Sequence, residues 1–514
     1  MTTPIVWSIA GSDSGAGAGL QADLRTFDVF DVHGCTAVAA ITAQNSLSVA
    51  RVEPVPTGLL DAQLAALAGD LRPRAIKTGL LGSVANVRCV AAWVDRLRRD
   101  GPVALVVDPV WRASTGAELG SAELREALLQ ELLPRATVIT PNRAEAAWLL
   151  GGEALQSPEA VEHAAAALAR LGPQSVVVTG GDAGGARALD WMHTPEALGW
   201  LALPRVDTLH HHGSGCVFAA SVAAALALGF CAADAVVIAK MNTTHALRQG
   251  RAAGQGAGAV RPQRGFGRQP DLLPSLSSVA ADRDPPPLAA LRDSRMGLYA
   301  IVDSAAWVER MLVAGVRTLQ LRIKAGAPED LSREVARSVA AAHAAQAQLF
   351  INDHWQLAIE HGAYGVHLGQ EDLQTADMAL LRRAGLRVGL STHSYWEVCR
   401  AHALSPSYIA CGPIHATTTK AMPWLPQGNA NLAYWCRVLR EPVVAIAGMD
   451  TLRSHEAVRC GAAGVAVLRG IVQAGDPQAA IERLQASIEA GWSAEPLAAP
   501  ELARSTLAST ALSN

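Results

Sequence analysis

No stretch of this chain offers the run of about 18 lipid-compatible residues that a membrane helix needs, and the Ala-rich run 217–230 reads as a buried helix. The start, MTTPIVWSIAGSDSG, lacks a basic region followed by a long apolar one, so no secretory signal is expected. The eight cysteines (35, 89, 216, 231, 399, 411, 436 and 460) form no CxxC pair and no Cys/His cluster. Their scatter argues against a zinc site or a disulfide framework, and for reduced thiols in the cytoplasm. His210, His211 and His212 are consecutive, and such neighbours rarely point at one ion. With a net charge of -3, the chain gives no electrostatic reason to expect nucleic acid or an anionic membrane as partner. Any affinity for phosphate must be local. There is no internal repeat.

What is present is a well-packed globular composition, 50% hydrophobic and 17% charged. A length of 514 residues suggests two to four domains. The composition shifts once, between about Gly250 and Arg295, where GRAAGQGAGAVRPQRGFGRQP and a later Pro285-Pro286-Pro287 read as a flexible linker. The expected organisation is a first domain over 1–250, a linker over 251–295, a second domain over 296–494 and a disordered tail over 495–514.

Before the linker, apolar β-branched runs (5–10, 37–42, 75–78, 103–110, 137–140 and 175–179) alternate with Ala/Leu-rich helical stretches. This predicts an α/β domain with a mostly parallel sheet. After it, eight short apolar runs follow one another: LYAIVD, TLQLRI, QLFIND, GVHLG, RVGLS, YIACG, PVVAIAG and GVAVLRG. Eight strands over about 200 residues, with polar residues where each run ends, predict a (β/α)8 barrel.

Several stretches carry chemistry. CGPIHATTTK (411–420) breaks at Gly412-Pro413 and presents Thr417, Thr418, Thr419 and Lys420, a composition suited to phosphate or pyrophosphate, or else to an exposed turn. Strand alternation points Gln320, Arg322 and Lys324 the same way, and two cations there suit a diphosphate. Asn352-Asp353 and Asp372 close neighbouring strands; the two aspartates suit Mg²⁺, or each alone is a helix N-cap.

In the first half, GSDSGAGAGLQAD (11–23) has neither the Gly-Lys-Ser/Thr of a Walker loop nor the spacing G-x-G-x-x-G, so a dinucleotide is not expected. Asp23 and Gln44 could hydrogen-bond a small polar heterocycle. In HGSGC (212–216), Gly213 and Gly215 leave amides unobstructed at a helix start, suited to a phosphoryl group in flight. Cys216 in that first turn is expected to have a lowered thiol pKa. Asn142 and Glu145, one helical turn apart, suit Mg²⁺ held through water.

AGSDSGAGAGLQADL, the AQN ending at Asn45, VVDPV (106–110), TPNRAEA and HGSGC together resemble the ribokinase-like superfamily, specifically the hydroxymethylpyrimidine and hydroxymethylpyrimidine-phosphate kinases. The resemblance covers about 1–250. It implies a ribokinase-like α/β sandwich that uses ATP. Asp23 and Gln44 would touch the pyrimidine, Asn142 and Glu145 would serve Mg–ATP, and Gly213, Gly215 and Cys216 would form the anion hole. Ser114 and Thr179 stand where lysine is common in that family.

The second half resembles thiamine phosphate synthase, whose LYAIVD, QLRxK, INDHWxLA, GVHLGQEDL, STH, CGPIHATTTK, AIAGM and GVAVLRGI appear here in order. The resemblance implies a C-terminal TIM barrel coupling hydroxymethylpyrimidine diphosphate to thiazole phosphate, with release of pyrophosphate. Arg322, Lys324, Asn352 and Lys420 would hold the diphosphate, with Asp353 and Asp372 on Mg²⁺. Gln320, Ser391, Thr417 and Thr419 would position substrates, and amides near Gly448 and Leu468 would receive the thiazole phosphate. Arg469 stands where many members have serine.

The combined expectation is a fused kinase and synthase of thiamine biosynthesis with small-molecule substrates and no nucleic-acid or membrane partner; a homo-oligomer is left open. Its rivals are a thiazole tautomerase-like barrel, and a first half that is a pyridoxal-type kinase or an inactive pyrimidine-binding module.

Overall fold

The computed structural model describes residues 3–112, 116, 120–181, 183–324, 326–417 and 423–507. The chain divides into two compact units, 1–282 with 507–514, and 283–506. Among the described residues, no helix is long and apolar enough to cross a membrane.

The first unit is built on a ten-stranded sheet. Its strands are β1 (Ile5–Asp13), β2 (His33–Gln44), β3 (Val49–Pro54), β4 (Ala75–Thr78), β5 (Ala104–Val107), β6 (Val138–Ile139), β7 (Ser175–Val178), β8 (Arg187–His193), β9 (Leu198–Pro204) and β10 (Ser275–Ser277). They lie in the order β10-β9-β8-β7-β6-β5-β4-β1-β2-β3. The central pairs are parallel and the edges antiparallel. This is a ribokinase-like mixed sheet, and the six runs read from the sequence supply its middle. Strands β4 to β7 are buried throughout, as parallel strands covered on both faces must be. Helix Ser214–Ala227 is buried along most of its length, its alanines allowing close approach to the sheet.

The second unit closes eight parallel strands into a barrel: β11 (Gly297–Val302), β12 (Thr318–Leu321), β13 (Gln348–Asn352), β14 (Gly365–Leu368), β15 (Arg387–Thr392), β16 (Tyr408–Cys411), β17 (Val443–Ile446) and β18 (Gly464–Val467). These are the eight runs read from the sequence. Tyr299, Phe350, Tyr364 and Tyr408 fill one layer of its interior. A Cβ at Gly389 would lie 2.0 Å from the Tyr408 ring, so the neighbouring strand gives up its side chain to seat the aromatic.

The expected linker and tail require correction. Residues 251–282 belong to the first unit: β10 pairs with β9, and Val260, Phe266, Leu272, Leu273 and Leu276 are buried. Their glycines serve contact, not freedom. A Cβ at Gly256 would lie 1.9 Å from the Ser46 carbonyl, and one at Gly258 would lie 1.9 Å from that of Arg251. Residues 283–295 pack under the barrel, where Leu288 is buried and Ser407 Oγ donates to Ala289 O at 2.6 Å. Residues 495–506 also pack on the barrel, with Ala503 and Thr506 buried; 508–514 lie outside the described residues. Glycine and arginine looked solvated in the sequence, but sparse leucines and phenylalanines among them bury enough surface to fix the segment.

Candidate active sites

In the first unit two glycine-rich stretches meet at the end of β1. Asp13 accepts hydrogen bonds from the amides of Gly15 (2.7 Å), Gly17 (3.0 Å) and Ala18 (2.8 Å) and sits 3.2 Å from His212 Nε2. Burial opposes ionisation of Asp13, but His212 and those amides outweigh it and hold the carboxyl below its ordinary range. The 14–18 loop is thereby tied to HGSGC. Gly213, at φ +84, caps helix Ser214–Ala227 in the left-handed region. Gln44 is half-buried beside this loop, its backbone N–H accepted by Ser14 Oγ at 2.8 Å.

Asp23 is not where a heterocycle could reach it. It is fully buried, accepting from Ser8 Oγ and from Lys77 Nζ at 2.9 and 3.0 Å. Lys77 also lies 3.7 Å from Asp108. Burial lifts the Asp23 carboxyl despite Lys77. It pushes Asp108 up to about 6, with Lys77 pulling down and Asp23 pushing up.

Cys216 shares this environment, and here the expected low thiol pKa is reversed. Burial pushes it up to about 12 and Asp108 and Asp23 add to that, against the pull of Lys77 and of the Gly19 amide. A helix start favours a thiolate only where the surroundings solvate it, and here one ammonium already serves two carboxylates.

Asn142 and Glu145 form a capping box, each side chain accepting from the other's backbone N–H at 2.8 Å. The pair therefore serves its own helix start. Thr179 makes a parallel bridge to Asn142 just beyond the ends of β7 and β6. Ser114 lies outside the described residues.

In the barrel, the predicted residues gather at the carboxyl ends of the strands. Gln320, Arg322 and Lys324 leave β12; Gln320 is buried, Arg322 half-buried and Lys324 exposed. Asp353, at φ +64, follows Asn352 at the end of β13, a strained conformation of the kind found at functional sites. Burial raises its pKa, and Asp372 raises it further by charge and by a shared hydrogen bond, while Arg322 opposes them. Arg322, Asp353 and Asp372 are thus one electrostatic group. Asp372 also accepts from the Gly369 amide at 2.8 Å. Among the described residues no three His, Cys, Asp or Glu side chains form a metal cage. Two carboxylates still suit Mg²⁺, which usually keeps waters and takes phosphate oxygens for the rest.

Ser391 leads to residues the sequence reading left without a role. Its Oγ is 2.9 Å from His367 Nε2, whose Nδ1 is 2.8 Å from Tyr408 OH. Tyr408 OH is 2.8 Å from Tyr299 OH, which accepts from Gln320 Nε2 at 3.1 Å. Two predicted substrate residues, Gln320 and Ser391, are therefore the ends of one buried chain across the barrel. Burial, then Arg322, push His367 down to about 4, with Asp372 opposing. The signal was present in LYAIVD, GVHLG and YIACG, but these side chains meet only when the barrel closes.

Thr417 is half-buried; Thr419 and Lys420 lie outside the described residues. Gly448, at φ +69, packs against His415 and Ala416, joining the loops after β16 and β17. Leu468 caps the short helix Arg469–Val472.

A sequence model of the family described as phosphomethylpyrimidine kinase matches residues 13–261. That of thiamine monophosphate synthase matches 298–471. The thiamine-phosphate synthase of Neisseria meningitidis is 50% identical over 194 residues, 38% of this chain and 95% of that protein. That of Cronobacter sakazakii is 50% identical over 199 residues. Among solved structures, the phosphomethylpyrimidine kinase of Clostridium difficile is 31% identical and covers 48% of this chain and 100% of its own, at a TM-score of 0.42. The pyridoxal kinase of Staphylococcus aureus is 33% identical, covering 51% and 93%, at 0.47. The chain belongs to the phosphomethylpyrimidine kinases through its first unit and to the thiamine-phosphate synthases through its second, a bifunctional enzyme of thiamine biosynthesis.

Proposed function

We propose that the kinase unit phosphorylates hydroxymethylpyrimidine and its monophosphate from ATP, and that the barrel consumes the resulting diphosphate together with thiazole phosphate. The observation that carries the synthase assignment is the grouping of Arg322, Asp353 and Asp372 at the barrel mouth, next to the chain that ends on Ser391.

In the barrel, Arg322, Lys324, Asn352 and Lys420 bind the diphosphate, and Asp353 and Asp372 would hold Mg²⁺. The ion's chemistry is to neutralise the departing diphosphate. Gln320, Ser391, Thr417 and Thr419 orient the substrates, and amides near Gly448 and Leu468 take the thiazole phosphate. As the C–O bond to diphosphate breaks, the pyrimidine methylene becomes a resonance-stabilised cation that the thiazole nitrogen captures. The protein's part is to stabilise the leaving group and to exclude water. A His367 held neutral by burial fits that part, since it adds no positive charge beside the forming cation.

In the kinase, the amides at Gly213 and Gly215 stabilise the transferring phosphoryl group. Gln44 remains the pyrimidine contact, and Asp23 acts through Lys77. Asp108, near 6, is better matched than Cys216 to accept the proton of the attacking alcohol. Asn142 and Glu145 would serve Mg–ATP through the helix start that their capping box fixes.

The test is one reaction containing hydroxymethylpyrimidine, ATP, Mg²⁺ and thiazole phosphate, followed for thiamine phosphate. Product supports both units. Product only when the pyrimidine diphosphate is supplied leaves the synthase standing and sinks the kinase assignment; no product in either case sinks both.

A further inference from the structure

Residues 495–506 lie beyond the synthase family match, which ends at residue 471; Glu495 and Leu497 bond to Arg459, ahead of β18, and 503–506 bond at the mouth side of the barrel. Asn431, with only 1% of its surface exposed, grips the backbone of Arg504 twice: its Oδ1 accepts from Arg504 N at 2.9 Å and its Nδ2 donates to Arg504 O at 3.0 Å. The buried Tyr395 OH accepts from Ala503 N at 2.9 Å. Thr506 Oγ1 donates to His393 O at 2.7 Å, and Thr506 O accepts from Leu425 N at 2.6 Å. The Arg504 guanidinium donates to Pro426 O at 2.6 Å and to Gln427 O at 3.2 Å.

These contacts converge on Leu425–Gln427 and on His393. Leu425–Gln427 closes the loop that leaves β16 at Gly412 and carries Thr417 to Lys420. His393 lies two residues after Ser391. Between them Gln427, buried, sends its Nε2 to both His393 O and Gly412 O at 3.3 Å. His393 O is therefore held by the loop and by the segment together.

We propose that 503–506 is a strap that fixes Leu425–Gln427, where the loop after β16 rejoins the barrel, against His393 beside Ser391, and so supports binding of the pyrimidine diphosphate. The C-terminal segment is thus a positioning element of the synthase, and this inference rests on the assignment of that loop to the diphosphate. Without it Leu425 N–H and Asn431 Oδ1 lose these partners, while the start of the loop keeps its bonds from Ile414 N to Ile446 O and from His415 N to Ala447 O.

The full chain lacking 495–514 and the full-length Thr506→Val variant are assayed for synthase kinetics. Kinase turnover of the same samples serves as the internal control. The expected result is a KM for the pyrimidine diphosphate raised about tenfold by the truncation and severalfold by Thr506→Val. KM for thiazole phosphate and the kinase rate should stay unchanged, and a synthetic 495–514 peptide should restore the truncated chain. Should the truncation fail to fold, Thr506→Val decides. Lys420→Ala is run alongside: an unchanged diphosphate KM there sinks the loop assignment. A raised KM there with an unchanged KM in the strap variants overturns the strap, as does a loss confined to kcat.

Discussion

Lys77 Nζ lies 2.9 Å from one oxygen of Asp23 and 3.0 Å from the other, and neither side chain has any exposed surface. Burial works against the lysine's charge, but Asp23 first, then Cys216 and Asp108, more than offset it, so Lys77 stays cationic. Removing one partner of such a pair strands the other charge. Lys77→Met is expected to destabilise the kinase unit by about 3–5 kcal/mol, and the double variant Lys77→Met/Asp23→Leu by much less. Urea unfolding of the three proteins checks this; a double variant no better than Lys77→Met would show that the pair is not the source of the loss.

The same cluster predicts two opposite titrations. With its thiol pushed up to about 12, Cys216 should react with iodoacetamide at a rate rising about tenfold per pH unit through pH 10. A plateau near neutrality, seen by mass spectrometry of the labelled peptide, would mean a stabilised thiolate. With Asp108 as the proposed base, kinase kcat should climb as pH rises through about 6, where its carboxyl deprotonates. That limb should vanish in Asp108→Asn along with most of the rate.

His367 makes a stability prediction in the barrel. Its folded pKa, about 4, lies below the ordinary 6.5. Between those values the unfolded chain binds the extra proton and the folded one does not, so stability falls as pH drops from 6.5 to 4. The full difference is worth roughly 3 kcal/mol. Melting of wild type and His367→Gln across that window should show the wild type losing ground to the variant below pH 6.5. Parallel curves would mean that His367 is protonated in the folded barrel.

The eight barrel strands were legible because strands buried on both faces are short, mostly apolar runs, and each of these ends in polar residues or glycine. The kinase edge was less so: RALDWMH (β8) mixes apolar and polar residues without strict alternation, and LGWLALP (β9) is interrupted by Gly199 and ends on Pro204. The first-half motifs marked the right places but not always the right chemistry. The Asn142/Glu145 spacing that suits a metal is also the spacing of a capping box. Asp23 could not be known to have a lysine partner 54 residues away. Cys216 was misjudged because a helix start is a local signal, whereas the burial that opposes a thiolate, and the carboxylates that add to it, come from the fold: Asp23 from the helix after β1 and Asp108 from the end of β5.

Gly213 and Gly215 can be told apart by a single methyl group each. A Cβ at Gly213 would lie 2.1 Å from the Gly17 carbonyl, at a backbone φ of +84 that side chains resist. Gly213→Ala should therefore cost stability, about 1–2 kcal/mol from the left-handed conformation alone, and disturb the Asp13–His212 junction. At Gly215 a Cβ would meet nothing within 4 Å, so alanine is accommodated and suits the helix better. If the amides here grip the phosphoryl group at close range, that methyl group stands in the ligand's way. Gly215→Ala should then lower kinase kcat/KM about tenfold or more, with unchanged melting and unchanged synthase activity. A Gly215→Ala enzyme with full kinase activity would remove the helix start from the catalytic machinery and leave Gly213 with a purely structural role.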